Sequence, residues 1–159
     1  DYVLIDCPPS LNLLTIMALV SSDELIVPLQ TEFFALEGLT QLMKTIDRIK
    51  NNLNPNIIIR GILLTMYDRR NKLSGQVEKE AREYFKEKVY NIVVPRNVRL
   101  SEAPSHGIPV LLYDEKCYGS KAYFELTEEF LNQDKQVESA AWLILSNPRK
   151  VWVEGYHHL

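Results

Sequence analysis

Residues 1–10 read DYVLIDCPPS, and this stretch decides the fold class. From Tyr2 to Ile5 the apolar residues are continuous rather than alternating, a pattern typical of a strand covered on both faces in a parallel sheet. The strand ends on Asp6, which places a carboxylate at the carboxyl edge of the sheet, where open α/β folds bind ligands. Two interpretations of Asp6 stay open on these residues alone: it holds Mg²⁺ through water beside a nucleotide phosphate, or it caps the next turn.

Strands and helices alternate along the chain from this opening. We expect a helix from about Leu11 to Val20 capped by Ser10, a strand over 24–29, a helix over 36–51 and a central strand over 57–66. Further on, the pattern predicts a helix over 74–88, a strand over 90–94, one helical turn over 101–106, an extended piece over 109–113 and a last helix over 120–131. The alternation indicates an α/β fold with a doubly wound, mostly parallel sheet flanked by helices.

The composition narrows the functional class. With 159 residues, 46% hydrophobic and 25% charged, the chain is long enough for one domain with a single core. A net charge of −3 argues against coating nucleic acid through bulk charge, so any DNA contact must be local. The two cysteines are far apart in sequence, which fits a reducing cytosol. The sequence has neither an apolar stretch that could span a membrane nor a signal peptide, so we predict a cytoplasmic protein with no membrane partner.

The segment after Asp134 breaks the alternation of strands and helices. It holds both tryptophans and two of the three histidines, His157 and His158. We therefore expect two parts, an α/β domain over 1–134 and a tail of unknown origin over 135–159. A non-native extension and a short terminal helix are both open interpretations of that tail.

Three segments carry a family resemblance: DYVLIDCPPSL at 1–11, GILLTMYDRR at 61–70 and VVPRNVRLSEAPSHGIPVLLYD at 93–114. In this order and at these separations they resemble the second half of a ParA/Soj chromosome-partitioning ATPase, one of the deviant Walker A group of P-loop proteins, over residues 1–131. The resemblance implies a P-loop NTPase-like fold, present here in part, with ATP and Mg²⁺ as cofactors of the complete protein. It implies that Asp6 is the Walker B acid, the catalytic and water-mediated metal residue, and that 7–10 is the switch segment after it.

The same resemblance implies an adenine pocket formed by Met66, Pro95 and Asn97. A thioether, a ring and an amide suit a flat base with a few polar groups at its edge. From spacing alone, an ordinary core residue is the favoured interpretation of Met66, and the resemblance reverses this for the complete protein only.

Basic residues follow the third and fourth predicted strands and would form a positive patch at the sheet edge: Arg69, Arg70, Lys72, Arg96 and Arg99. Arginine suits phosphate contacts because its planar fork can pair two oxygens at once. Family members bind DNA without sequence preference, and the resemblance assigns this role to Arg70 and Arg99. The alternative is that Arg69 and Arg70 lie on a solvated loop and have no DNA role. For Cys7 we expect a small packed residue rather than a nucleophile.

The sequence contains no GxxxxGK[ST] phosphate-binding loop. We therefore expect the chain to begin within the fold, to be inactive as an ATPase alone, and to expose an apolar edge beside the Asp6 strand. The complete protein would form an ATP-dependent homodimer, bind nucleoid DNA and be stimulated by a ParB/Spo0J-like partner. Two alternatives remain: a non-catalytic paralogue that binds DNA or a partner, and a MinD-like relative.

Overall fold

The computed structural model describes residues 2–8, 12–140 and 149–154. Its strands are β1 (Tyr2–Cys7), β2 (Glu24–Gln30), β3 (Ile58–Thr65) and β4 (Arg149–Glu154). Its α-helices are α1 (Leu13–Ser21), α2 (Ala35–Asn52), α3 (Lys72–Phe85), α4 (Val98–Glu102), α5 (Val110–Tyr113) and α6 (Tyr118–Ala140), with 3₁₀ turns at Lys86–Lys88 and Ala103–His106. The predicted α/β class is confirmed. The predicted cap Ser10 lies outside the described residues, and the Asn12 side chain caps α1 by accepting from the Thr15 N–H at 3.0 Å.

The four strands form one parallel sheet in the order β1-β4-β2-β3. The strand β4 lies between β1 and β2, with Cys7 opposite Glu154 on one side and Leu25 opposite Trp152 on the other. The helix α6 runs on past residue 134, so the tail contributes both to a helix and to the sheet. This strand was not predicted from the sequence. The division into a domain over 1–134 and a tail of unknown origin over 135–159 stays a prediction.

The strand β1 lies at an edge of the described sheet. Leu4 is 67% exposed and Val3 is 44% exposed, so the expectation of a strand covered on both faces is wrong. The reason is that a run of apolar residues reports hydrophobicity and not the number of neighbours, and β4 is the one strand that pairs with β1 in the described part of the chain. The exposed apolar edge expected beside Asp6 is found here.

Helices cover both faces of the sheet. Alternate residues of β3 divide between two cores: Ile62 and Leu64 pack with α1, α2 and α3, while Leu63 packs on the α6 side. Five apolar residues recur at three- and four-residue spacing on α2. Four of them are buried and Met43 is half-buried; the buried ones are Leu39, Leu42, Ile46 and Ile49. The second core centres on Tyr90, whose ring lies over the backbone of Gly61.

The segment over 90–94 forms no regular strand and pairs with the rest of the sheet through isolated bridges at Val89 and Pro95, so the expectation of a strand there is wrong. The Tyr90 N–H donates to the Ile62 carbonyl at 3.0 Å and the Val94 N–H to the Leu64 carbonyl at 2.9 Å. Between these two hydrogen bonds the chain advances by four residues, from Tyr90 to Val94, while β3 advances by two, from Ile62 to Leu64. The extra residues form a bulge. The Glu129 carboxylate of α6 accepts the N–H groups of Asn91 at 2.8 Å and Ile92 at 3.1 Å, which satisfies the bulge.

The piece expected to be extended over 109–113 is instead the short helix α5. Pro109 precedes its first residue, and its carbonyl oxygen accepts the Leu112 N–H at 2.9 Å and the Tyr113 N–H at 3.0 Å. Pro109 itself keeps the extended backbone of an N-cap residue, with φ of −65° and ψ of 148°, but the four residues after it are helical, so the expectation of an extended piece is wrong.

Candidate functional site

The carboxyl ends of the parallel strands meet at one edge of the sheet, where β1 ends at Cys7, β2 at Gln30 and β3 at Thr65. Asp6 is the penultimate residue of β1 and is exposed, while Cys7 is buried in the main core. Among the described residues no group of three or more His, Cys, Asp or Glu side chains could enclose a metal ion. A single exposed carboxylate fits Mg²⁺ of the kind that keeps several waters and takes its other ligands from phosphates.

Two buried hydroxyl groups, those of Thr31 and Ser74, connect the ends of β2 and β3 to the start of α3. Neither was predicted from the sequence. Thr31 follows β2, and its N–H donates to the Thr65 carbonyl at 3.1 Å. The Thr31 hydroxyl lies 3.1 Å from Ser74 Oγ at the start of α3 and 3.4 Å from the Met66 carbonyl oxygen. Both side chains are 2% exposed. A polar residue directly after an apolar strand was the signal that could have identified Thr31.

Met66 adopts a left-handed backbone conformation with φ of 53°. For a residue with a side chain this conformation costs about 1–2 kcal/mol, and it persists where neighbouring groups hold it. The contacts from Thr31 supply that support. Met66 is half-buried, so it is not a simple core residue.

The segments that carry the three predicted pocket residues meet beyond the end of β3. Tyr67 and Pro95 form a parallel bridge, with the Tyr67 N–H donating to Val94 at 3.1 Å and the Arg96 N–H donating to Tyr67 at 3.0 Å. The residue paired with Pro95 is Tyr67, and Met66 lies one position before it. The Asn97 side-chain oxygen caps α4 by accepting the Arg99 N–H at 2.8 Å, which leaves its amide N–H₂ available to a ligand.

Strand order also fixes the distance between Asp6 and this pocket. Asp6 lies on β1, and Met66 follows β3, three strand positions away. At about 4.8 Å per position, the two ends of the edge are roughly 14 Å apart. That distance is comparable with the length of an extended nucleoside triphosphate.

The predicted basic patch is exposed, and its two segments lie side by side through the Tyr67–Pro95 bridge. Arg70 pairs with Asp68: its Nε and Nη2 lie 3.1 Å from the two carboxylate oxygens. These contacts lower the pKa of Asp68 below its ordinary value and raise that of Arg70.

Arg99 is paired in a similar way. Its Nη1 lies 2.8 Å from Glu102 Oε2, and its Nε lies 3.5 Å from Asp114 Oδ2. The hydrogen bond to Glu102 raises the pKa of Arg99. Both arginines assigned to DNA are therefore exposed cations whose charge is offset by a neighbouring carboxylate.

The helices within the described ranges include none that is both long and apolar enough to cross a membrane.

Comparisons with known proteins agree with this architecture. Residues 1–59 match a family described as AAA domain. The chain is 60% identical over 140 residues to the chromosome partitioning protein ParA of Caulobacter vibrioides (strain NA1000 / CB15N), covering 88% of this chain and 52% of the relative. It is 54% identical over 129 residues to the sporulation initiation inhibitor protein Soj of Bacillus subtilis (strain 168), covering 81% of this chain and 51% of the relative.

A solved structure with the same fold is cobyrinic acid a,c-diamide synthase from Mycobacterium smegmatis with bound ADP and magnesium. Its TM-score is 0.64 at 28% identity, covering 89% of this chain and 50% of that chain. The chain thus spans about half the length of the relatives and of the solved structure that it matches.

Proposed function

Because the chain belongs to the ParA/Soj family of chromosome-partitioning proteins, we propose that it supplies the Walker B acid, the adenine contacts and the DNA-facing arginines of a partitioning ATPase. One observation carries the proposal. Asp6 and the Tyr67–Pro95 bridge, which Met66 directly precedes, stand at opposite ends of one sheet edge, three strand positions apart. A nucleotide laid along that edge would reach both.

In this arrangement Asp6 orients the water shell of Mg²⁺, Met66 and Pro95 contact the flat faces of adenine, and the Asn97 amide donates to the edge of the base. Bound Mg²⁺ would offset negative charge on the phosphates. The Thr31 hydroxyl contacts the Met66 carbonyl oxygen and is itself positioned by the Ser74 hydroxyl. Because this sequence carries no glycine-rich phosphate loop, we expect the chain as it stands not to hydrolyse ATP.

The complete protein would act as a homodimer on nucleoid DNA in the cytoplasm, with a ParB/Spo0J-like protein as partner. Arg70 and Arg99 would contact backbone phosphates, which give affinity without sequence preference. A non-catalytic DNA-binding protein is the second candidate, favoured by the exposure of both arginine side chains, which DNA binding uses and adenine binding does not. Nucleotide recognition distinguishes the two, because only the first candidate requires it.

The nucleotide role can be tested by recording amide NMR spectra of ¹⁵N-labelled chain during titration with ADP, with and without Mg²⁺. We expect weak binding that shifts the amides of Met66, Tyr67 and Asn97, and a Mg²⁺-dependent shift near Asp6 that Asp6→Asn removes. Shifts confined to other surfaces, or an unchanged Mg²⁺ response in Asp6→Asn, would contradict the nucleotide proposal.

The DNA role can be tested by fluorescence anisotropy of a labelled duplex at increasing salt. Arg70→Ala with Arg99→Ala should weaken binding and flatten the plot of log K against log salt by about two units of slope, roughly one for each phosphate that is no longer bound. The matched control removes two exposed cations of α2, Lys44→Ala with Lys50→Ala. If both double variants bind alike, the arginines have no special role.

A further inference from the structure

The Asp68 carboxylate is arranged around Arg70 in a way that bears on DNA binding. Asp68 Oδ1 accepts the Arg70 backbone N–H at 2.9 Å and Nε–H at 3.1 Å, and Oδ2 accepts Nη2–H at 3.1 Å. The Arg70 side chain is 91% exposed, against 26% for that of Asp68. The carboxylate therefore occupies the Nε edge of the guanidinium and leaves its outer edge to solvent.

Arg99 has an equivalent partner. Glu102 Oε2 lies 2.8 Å from Nη1 and also accepts the Tyr113 hydroxyl at 3.3 Å, which holds the carboxylate in position. The Arg99 side chain is 51% exposed. Each arginine assigned to DNA thus has an acidic residue two or three positions away in sequence that takes up some of the donors a phosphate would use. At Arg99 a second carboxylate, Asp114 Oδ2, lies 3.5 Å from Nε.

We propose that Asp68 and Glu102 limit DNA affinity, by competing with phosphate for the guanidinium groups of Arg70 and Arg99. This inference rests on the proposed DNA role of the two arginines. A phosphate that pairs with both donors of the Nε edge must displace the carboxylate, while a phosphate on the outer edge keeps a negative charge nearby. Either route makes binding weaker and more easily released.

The opposing effect is positioning, since a carboxylate also orders the arginine side chain. Exposed ion pairs order their partners only weakly, so we expect the charge effect to dominate. A carboxylate about 7 Å from a phosphate in water reduces the affinity by about threefold. The contact with Arg70 holds the pKa of Asp68 below its ordinary value, so this effect persists at neutral pH.

The test measures duplex binding by Asp68→Asn, Glu102→Gln and the two changes together. It is done at 50 to 100 mM salt, where the Debye length is about 10 Å or more and a carboxylate about 7 Å from a phosphate still repels it. The asparagine side chain in Asp68→Asn keeps an oxygen that can accept the Arg70 backbone N–H, so the turn is preserved. We expect about a threefold gain for each change and up to about tenfold for both, from the same charge estimate. The matched control is Asp47→Asn, an exposed acid of α2.

A cycle with Arg70→Ala separates competition from general repulsion. If Asp68 acts through Arg70, the gain from Asp68→Asn shrinks when Arg70 is absent. An equal gain in both backgrounds, a gain matched by Asp47→Asn, or weaker binding by Asp68→Asn would each overturn the inference while leaving the DNA role intact. Unchanged binding by Arg70→Ala with Arg99→Ala would instead overturn the DNA role, and this inference with it.

Discussion

The close approach of the Tyr90 ring to the backbone of Gly61 gives a quantitative prediction. A Cβ atom placed there would lie 2.4, 2.8 and 2.9 Å from Cε2, Cζ and Cδ2 of the Tyr90 ring. Tyr90 is 1% exposed and packs against Leu63, Val94 and Ala122, so the ring cannot move without disturbing the second core. Gly61→Ala therefore forces either the ring or the strand to shift.

We expect Gly61→Ala to lower the free energy of unfolding by about 2 kcal/mol. Overpacking of this severity costs about 3 kcal/mol, and replacing a strand glycine by alanine recovers roughly 1 kcal/mol of chain entropy. Urea denaturation followed by circular dichroism measures the change. Because Tyr90 lies on the segment that leads to Pro95, the amide shifts of Met66 and Asn97 should move as well.

Two further variants make this prediction refutable. Gly75→Ala is the matched control, since nothing lies within 4 Å of its Cβ position in α3, and there alanine should stabilise by about 1 kcal/mol. In a Tyr90→Ala background the cost of Gly61→Ala should vanish because the ring is gone. An equal cost in both backgrounds, or a Gly61→Ala variant as stable as the parent, would refute the packing argument.

Three other predictions concern neighbouring features. Burial raises the pKa of Tyr90 to about 12. Because Tyr90 ionises in the unfolded chain from about pH 10, the free energy of unfolding should be unaffected below pH 10 and fall by up to about 2 kcal/mol as pH rises through 12. Tyr90→Phe should lack that loss in unfolding measured between pH 9 and 12. Asn97→Ala should cost about 1 kcal/mol through the lost cap of α4, whereas Asn97→Asp should keep the stability and lose only the amide donor; equal unfolding curves for both would contradict the capping role. A variant with Glu154→Cys and Cys117→Ser should form an intramolecular disulfide between Cys7 and position 154 on oxidation, because these two positions are paired in the sheet. A non-reducing gel detects the disulfide, and its absence would contradict the register of β4.

Sequence reasoning succeeded where local pattern and tertiary role coincide. The four buried residues of α2 at three- and four-residue spacing and the aliphatic run of β3 were both predictable for that reason. The strand order predicted that the segments ending at Met66 and Pro95 are neighbours, and the backbone bridge between Tyr67 and Pro95 joins these segments. The adenine contacts came from the family resemblance and stay a prediction.

Elsewhere the controlling partner is distant in sequence. The bulge at 91–93 depends on Glu129 of α6, and the conformation of Met66 depends on the Thr31 hydroxyl. The run Val-Trp-Val at 151–153 is rich in β-branched and aromatic residues, a local strand signal from which no strand was predicted. The carboxylate partners of Arg70 and Arg99 were within reach of sequence reasoning, because Asp68 and Glu102 lie only two and three residues away.

The position of β4 between β1 and β2 has a consequence for the order of folding. The pairing of β2 with β3 joins residues such as Glu24 and Ile58, and so closes a short loop. The pairing of β1 with β4 joins Tyr2 to Arg149, which are far apart along the chain. Non-local pairing of this kind is slow because loop closure must come first. We therefore expect β1, the first of the four described strands to be synthesised, to pair with the sheet last, and Asp6 to take its place on the sheet only after residues 149–154 have been made.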